Sequence, residues 1–147
     1  CNLFGERDNF DAETSHVIPA LLQRFHKAKL KNTKNLIIWG SGRARREFMH
    51  VDDLADASVY LMNCRHERKV INVGTSKDIA ISELVKNIAE IVGYDGKISY
   101  DQNMKEGTMR KVLNTEILNN LGWSPNRDFK NELNKVYSFL KSSKKLN

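Results

Sequence analysis

The chain has 147 residues, of which 40% are hydrophobic, and a formal net charge of +6 at pH 7. This length suits one domain, and the mixed charges are typical of a globular protein rather than a disordered one. Its longest apolar runs, such as residues 36–39, fall far short of the roughly 20 residues of a membrane helix. Cys1 and Cys64 have neither disulfide-framework nor zinc-site spacing, which favours a reducing, cytoplasmic location.

The excess of basic residues lies mainly in two groups along the sequence, one in a predicted loop and one at the carboxyl end. These groups are Arg43, Arg45 and Arg46, and Lys141, Lys144 and Lys145. Neither has the interleaved aromatic residues of single-strand binders, so we expect no nucleic-acid partner. A non-catalytic nucleotide- or RNA-binding module remains an alternative on charge alone.

The first half of the chain predicts helices and strands in alternation. Residues 16–29 have apolar side chains at helical spacing, with Ser15 as the expected N-cap. Residues 36–39 predict a strand that ends at a glycine loop. Residues 48–51 are expected to be extended, and Asp52 or Asp53 to cap the helix that follows, with an apolar stripe running to Met62.

The second half continues this alternation. Residues 70–73 predict a strand, and a helix is expected from Ser82 to a stop at Gly93. Strands are expected at 97–100 and 110–113, a short helix at 115–121, and a final amphipathic helix at 129–140. The pattern predicts the α/β class but no particular strand order.

A series of short motifs carries a family resemblance over essentially the whole chain. The motifs are Asn2-Leu-Phe-Gly5, Asp8-Asn-Phe10, Ser15-His-Val-Ile-Pro-Ala20, Trp39-Gly-Ser-Gly42, Arg46-Glu-Phe-Met-His-Val-Asp52, Ile71-Asn-Val-Gly74, Gly107-Thr108 with Arg110-Lys111, and Leu121-Gly-Trp123. In this order they resemble the GDP-L-fucose synthase family, a branch of the extended short-chain dehydrogenases/reductases. The second and third motifs point to this branch, whereas the fifth and sixth are shared by many nucleotide-sugar epimerases and dehydratases.

The resemblance implies that residues 1–147 are the carboxyl-terminal, substrate-binding region of a longer enzyme. The chain begins at Cys1 without an initiator Met, and no glycine-rich phosphate loop follows a strand. The amino-terminal Rossmann half is therefore expected upstream, with 70–74 as a strand of the cofactor-domain sheet. The family's Tyr-x-x-x-Lys pair is likewise expected upstream of Cys1, which predicts that this chain has no reductase activity alone. A strand edge left exposed by the missing half invites dimerisation, and the parent is expected to be a homodimer.

The reaction that the resemblance implies is epimerisation of GDP-4-keto-6-deoxy-mannose followed by reduction with NADPH. Protons beside a ketone can be removed by a positioned base and returned from the other face by an acid. His16 matches the family's acid/base histidine, and an imidazole can serve in both roles near neutral pH. Without the resemblance, a histidine beside a helix start would be read as a surface or capping residue.

Further site residues follow from the resemblance by position. Arg24, Trp39, Arg46, Lys105 and Glu106 match substrate-binding positions. Asn2 and Leu3, together with His16, match positions near the NADP(H) cofactor, which would be bound mainly by the upstream half. Guanidinium groups suit a diphosphate because they bind oxygen pairs bidentately. The alternatives without a binding role are a solvated Arg24 and a Trp39 that packs in the core.

Three positions depart from the family pattern, in which Tyr, Pro and Pro commonly stand at Phe4, Glu6 and Met109. These changes leave the reaction class intact but admit a related GDP-6-deoxy-4-keto-heptose as the alternative substrate. Capping and packing suffice to explain His50, Asp52 and Asp53. His26 and His66 are expected to be solvated, and no metal is expected because no His, Asp and Glu set has ligand spacing.

Overall fold

A computed structural model describes residues 1–11, 14–65, 70–104 and 107–143. Its elements in chain order are β1 (Asn2–Phe4), α1 (Val17–Leu30), β2 (Asn35–Trp39), β3 (Arg45–His50), α2 (Val51–Asn63), β4 (Asp78–Ala80), α3 (Ile81–Val92), β5 (Lys97–Asp101), β6 (Arg110–Lys111), α4 (Glu116–Asn120) and α5 (Phe129–Ser142). This alternation confirms the predicted α/β class. No helix within these ranges is long and apolar enough to cross a membrane.

The strands form two sheets. In the larger sheet β3 pairs with β1 and β6 in parallel and with β4 in antiparallel orientation. The smaller sheet consists of β2 and β5, which run parallel over the five residue pairs from Asn35–Lys97 to Trp39–Asp101. β3 therefore holds the larger sheet together, and its residues are mostly buried.

The core lies between three helices and the larger sheet. α1 packs against α3, and α3 packs against α5. The fully buried side chains of these helices include Leu22, Phe25, Leu84, Ile88 and Leu133. Burying each side chain of this size contributes about 1.5–3 kcal/mol, so the packing of α1, α3 and α5 is a substantial source of the stability of the domain.

The helix starts differ from the predicted caps. His16 rather than Ser15 is the N-cap of α1, and its side chain makes no capping hydrogen bond. The N-cap of α2 is His50, whose ring accepts from the Asp52 amide, so neither aspartate caps that helix. α3 begins one residue before Ser82, with Ala80 as its N-cap. The predicted stop at Gly93 is confirmed, since this glycine adopts a left-handed φ of 71°.

The strand predicted at 70–73 is wrong for this chain. These residues belong to no strand, and Val70 is 80% exposed. A strand is defined by hydrogen bonds to a neighbouring strand, and none of the strands described in the chain lies beside this segment. Its assignment to a cofactor-domain sheet remains a prediction.

Candidate functional site

Trp39 and Arg24 form a cation–π pair at the end of the small sheet. The Trp39 ring is 65% exposed, which excludes the core-packed alternative. The Arg24 guanidinium lies 5.6 Å from the ring centroid, and its Nη2 donates to the Ile37 carbonyl oxygen at 2.6 Å. Burial lowers the pKa of Arg24, but the group stays cationic at neutral pH. The pair offers a flat aromatic face beside a fixed positive charge.

His16 stands at the amino-terminal end of α1, eight residues before Arg24. Its side chain is exposed and makes no capping hydrogen bond. Eight residues of helix place the two positions about 12 Å apart along the axis. The imidazole therefore remains available for proton transfer to a ligand that extends along α1.

Arg46 is half-buried on β3, beside the loop that contains two predicted site residues. A Cβ atom added at Gly107 would lie 3.4 Å from Nη2 of Arg46, so the Gly107 backbone lies against the guanidinium. Arg46 Nη1 donates to the Arg45 carbonyl oxygen at 2.8 Å. Lys105 and Glu106 lie outside the described residues, and their assignment remains a prediction.

Asn2 and Leu3 lie on β1, opposite the end of β3. Leu3 pairs with Met49 and is 39% exposed, whereas the Asn2 side chain donates to the Glu47 carbonyl oxygen at 3.0 Å. This hydrogen bond uses the Asn2 amide to fix β1 against β3. A cofactor at this position would meet the exposed Leu3 side chain and the strand backbone.

A cavity of about 290 Å³ lies between β3 and the start of α5. Aromatic and cationic groups both line it: Phe4, Phe48 and Phe129, with Arg46, Lys77 and Arg127. The pattern of the sequence did not single out Lys77 or Arg127. Arg127 binds Asp53 at 2.7 Å and Asp56 at 2.8 Å, so Asp53 has an ion-pairing role in the fold rather than the capping role expected of it.

Two histidines differ from the predictions made for them. His26 is not simply solvated, because its Nδ1 lies 2.8 Å from the Tyr137 hydroxyl and its ring packs edge-on against the tyrosine. His50 lies close to Glu6 and Glu132. The possible metal-binding atoms of these three residues all lie within 4.8 Å of one another. Local spacing could not reveal this group, because its members are far apart in the sequence. His66 lies outside the described residues.

Comparison with known proteins places this arrangement in a family. The family described as NAD dependent epimerase/dehydratase matches residues 1–74, which is half of the chain. The chain belongs to the NAD-dependent epimerase/dehydratase family. The matched segment includes Asn2, His16, Arg24, Trp39 and Arg46 of the candidate site.

Two curated members of the epimerase/dehydratase family illustrate the similarity. GDP-L-fucose synthase 1 of Arabidopsis thaliana is 41% identical, over 94% of this chain and 43% of its own length. GDP-L-fucose synthase of Escherichia coli (strain K12) is 47% identical, over 83% of this chain and 41% of its own. The chain thus spans less than half the length of these relatives.

A solved structure shows the same fold. The chain superposes with a TM-score of 0.84 and 30% identity on a GDP-D-glycero-L-gluco-heptose synthase from Campylobacter jejuni, determined in the presence of NADPH. The match covers 96% of this chain and 51% of the other. The fold is therefore that of part of an extended short-chain dehydrogenase/reductase.

Proposed function

We propose that this chain is the substrate-binding part of an NADPH-dependent enzyme that converts GDP-4-keto-6-deoxy-mannose to GDP-L-fucose. The observation that carries the proposal is the exposed Trp39 ring with the Arg24 guanidinium over it. An indole that is 65% exposed gains free energy by stacking on a planar base. The identity of 41% and 47% to two GDP-L-fucose synthases supports guanine as that base.

Arg46 is proposed to bind the diphosphate that links the base to the sugar. Its guanidinium is half-buried and supplies several donors in one plane, a geometry that suits phosphate oxygens. The Gly107 backbone close to Nη2 leaves room for a ligand that a larger residue would restrict. Lys105 and Glu106, which directly precede Gly107 in the sequence, are proposed as additional contacts.

His16 is proposed to move the protons in the epimerisation step. A base removes the proton beside the ketone, and an acid delivers one to the opposite face. His16 is available for this proton transfer because its imidazole is exposed and does not cap α1. Its position at the start of the helix that also carries Arg24 places acid/base chemistry and substrate binding on one element.

The residues of β1 fit a nicotinamide cofactor that is held mainly by another part of the enzyme. Leu3 offers an exposed apolar contact, while the Asn2 amide is already bound to the Glu47 carbonyl oxygen. These few contacts from β1 would orient the cofactor but would not bind it alone. NADPH, when bound, supplies the hydride that reduces the ketone.

The proposal is tested with the full-length parent, GDP-4-keto-6-deoxy-mannose and NADPH. We expect His16→Gln to reduce turnover by about 10²–10⁴-fold, the usual contribution of one general acid/base, with little change in substrate KM. His26→Gln, on the same helix but bound to Tyr137, is the matched control and should keep its activity. No turnover by the wild-type parent, or equal loss in both variants, would contradict the proposal.

GDP binding gives an independent test of the aromatic platform. GDP should quench the fluorescence of Trp39, and Trp39→Ala should abolish this response and weaken binding by about 1–3 kcal/mol, the value of base stacking on an aromatic side chain. Trp123→Phe, at the other tryptophan, is the control and should preserve both. Quenching that persists in Trp39→Ala would place the base elsewhere.

A GDP-6-deoxy-4-keto-heptose is the second candidate substrate. The 30% identity and TM-score of 0.84 to a heptose synthase favour it, as do the changes at Phe4, Glu6 and Met109. Comparing kcat/KM of the parent for the hexose and the heptose discriminates the two. A higher value for the heptose would reassign the substrate without changing the reaction class.

We also propose that the parent acts as a cytoplasmic homodimer and that this chain alone is inactive. Two free thiols in the chain fit a reducing compartment. Tyr137 and Lys141 have Tyr-x-x-x-Lys spacing, but Tyr137 is 4% exposed and its hydroxyl is bound to His26. The pair that protonates the reduced ketone is therefore proposed to lie in the rest of the parent. NADPH oxidation by the purified chain with substrate would refute this part of the proposal.

A further inference from the structure

His50 carries a buried ring nitrogen that lacks a hydrogen-bond partner. The residue is 3% exposed, and its Nε2 makes no hydrogen bond with any residue that the structure describes. This nitrogen faces Oε2 of Glu6 at 3.5 Å and Oε2 of Glu132 at 3.9 Å. A buried polar atom without a partner is rare in folded proteins, and it indicates that something else binds at this point.

The carboxylates of Glu6 and Glu132, which face this nitrogen, are a second indication of a bound cation. Glu132 is 7% exposed and Lys135 binds only its Oε1, so its Oε2 faces His50 without a cation among the described residues, and a Glu6 oxygen lies within 4.8 Å of the Glu132 carboxylate. Charges buried in this way are normally paired or coordinate a metal ion. We propose that Glu6, His50 and Glu132 bind a divalent transition-metal ion, for which Zn²⁺ is the best match.

The chemistry of the donors favours zinc over magnesium or calcium. One imidazole nitrogen and two carboxylate oxygens form a set that Zn²⁺ accepts, whereas Mg²⁺ and Ca²⁺ prefer oxygen ligands alone. Two carboxylates also neutralise the charge of a divalent ion. The neighbouring cavity of about 290 Å³, which His50 and Glu132 line, has room for a water molecule as a fourth ligand.

The other nitrogen of His50 is placed to support coordination. Nδ1 lies 3.2 Å from the Asp52 amide nitrogen and 3.7 Å from Asp52 Oδ2. Coordination through Nε2 requires the proton on Nδ1, and this N–H would then donate a hydrogen bond to the exposed Asp52 carboxylate. Carboxylate–histidine–zinc arrangements of this kind orient the ring and strengthen the ligand. The long capping bond to the Asp52 amide would be exchanged for a charge-assisted one.

The carboxylates can close on an ion without rearranging the fold. Lys135 Nζ binds Oε1 of Glu132 at 2.8 Å, which leaves Oε2 for the metal. The Glu6 side chain is 34% exposed, so it can move by the roughly 1 Å needed for Zn–O bonds of about 2.0–2.2 Å. Its exposure also gives the ion a path into the site.

Zinc titration of chelator-treated protein by calorimetry tests the site. The thiols are first removed with Cys1→Ser and Cys64→Ser, because an exposed cysteine binds zinc by itself. We expect one Zn²⁺ per chain, with Glu6→Gln and Glu132→Gln each raising the Kd about tenfold or more. Glu90→Gln, which changes an exposed carboxylate paired with Lys130, is the matched control and should leave the Kd unchanged.

Cobalt absorption gives a second measurement that does not depend on His50 variants, which could fail to fold. Co²⁺ bound by one nitrogen and three oxygens should give visible d–d bands that weaken in Glu6→Gln, a change at a partly exposed side chain. No zinc binding at saturating concentration would overturn the proposal. It would also be overturned by binding of unchanged Kd in both glutamate variants.

Discussion

Glu47 is a buried carboxylate in the middle of β3, next to the proposed diphosphate ligand Arg46. It is 1% exposed, and its two oxygens accept from separate segments. Oε1 accepts from the Thr75 and Ser76 amides at 2.5 and 2.8 Å, and Oε2 accepts from the Leu113 amide at 2.8 Å. One side chain therefore holds the loop after Gly74 and the segment after β6 against the strand that carries Arg46.

Replacing Glu47 with Gln should lower the free energy of unfolding by about 2–3 kcal/mol. The amide NH₂ group cannot accept a hydrogen bond, so at least one buried backbone N–H loses its charged partner. Glu90→Gln, at an exposed carboxylate, is the control and should change stability little. Urea unfolding measures both, and equal midpoints for Glu47→Gln and the wild type would disprove the structural role of Glu47.

His26 predicts a dependence of stability on pH. Burial lowers the pKa of His26, and the nearby positive charges of Lys29 and Lys141 lower it further. The unfolded chain therefore takes up this proton first as the pH falls below about 6.5. Since the unfolded state then binds more protons, the stability contributed by neutral His26 is present above that pH and is lost on acidification through the folded pKa.

The free energy of unfolding should therefore fall between pH 7 and pH 5, and His26→Gln should reduce this slope. Glutamine keeps a polar group near the Tyr137 hydroxyl but does not titrate. The difference between wild type and variant isolates His26 from the other three histidines. A slope that is identical in the two proteins would show that His26 contributes nothing to it.

At the scale of elements, α5 has a cap that the sequence supplies directly. The Asp128 carboxylate accepts from the Asn131 amide at 2.8 Å, which satisfies one of the first N–H groups of the helix. Asp128→Ala should lower the free energy of unfolding by about 1 kcal/mol. Asn134→Ala, at an exposed position within the same helix, should be neutral or slightly stabilising because alanine favours helix. Thermal unfolding of the two variants checks the prediction, and equal midpoints would contradict it.

Periodicity predicted the long helices well and the short strands poorly. α3 and α5 have apolar side chains at helical spacing, and both lie where that spacing indicated. β1 and β4 have three residues each, too few to show a period, and each exists because β3 lies beside it. The caps predicted at Ser15 and Ser82 were wrong, because a hydroxyl near a helix start caps the helix only if the backbone turns at that residue.

The candidate site shows the same division. Motif resemblance alone singled out Arg24 and Trp39, and the structure joins them through a contact across two elements that no local pattern contains. The group of Glu6, His50 and Glu132 was missed, since ligand spacing was sought within one segment. Sequence motifs therefore identify residues suited to a site, whereas tertiary packing determines which of these residues are in contact.

At the scale of the whole molecule, α2 presents an apolar stripe to solvent. Val51, Ala55, Val59 and Met62 recur at three- and four-residue intervals, which places them on one face. Val51, Val59 and Met62 are 43%, 54% and 77% exposed. Among the described elements α2 packs mainly against β3, and its buried residues are Asp53 and Ala57. A contiguous apolar face of this kind normally marks an interface.

The stripe predicts that the purified chain self-associates as its concentration rises. Covering the exposed valine and methionine side chains removes apolar surface from water, which favours association at about 25 cal/mol per Å². The double variant Val59→Lys/Met62→Lys should remain monomeric over the same range of concentration, because lysine keeps its charge in water.

Light scattering after size exclusion measures the mass of each species. Leu30→Lys is the matched control, since Leu30 is 67% exposed at the end of α1 and lies outside the stripe. This variant should associate like the wild type. Association that survives the double lysine variant, or is lost equally in the control, would assign the interface to another surface. In the proposed parent the remaining half of the enzyme is expected to cover α2, so the same double variant there should destabilise the fold rather than prevent dimerisation.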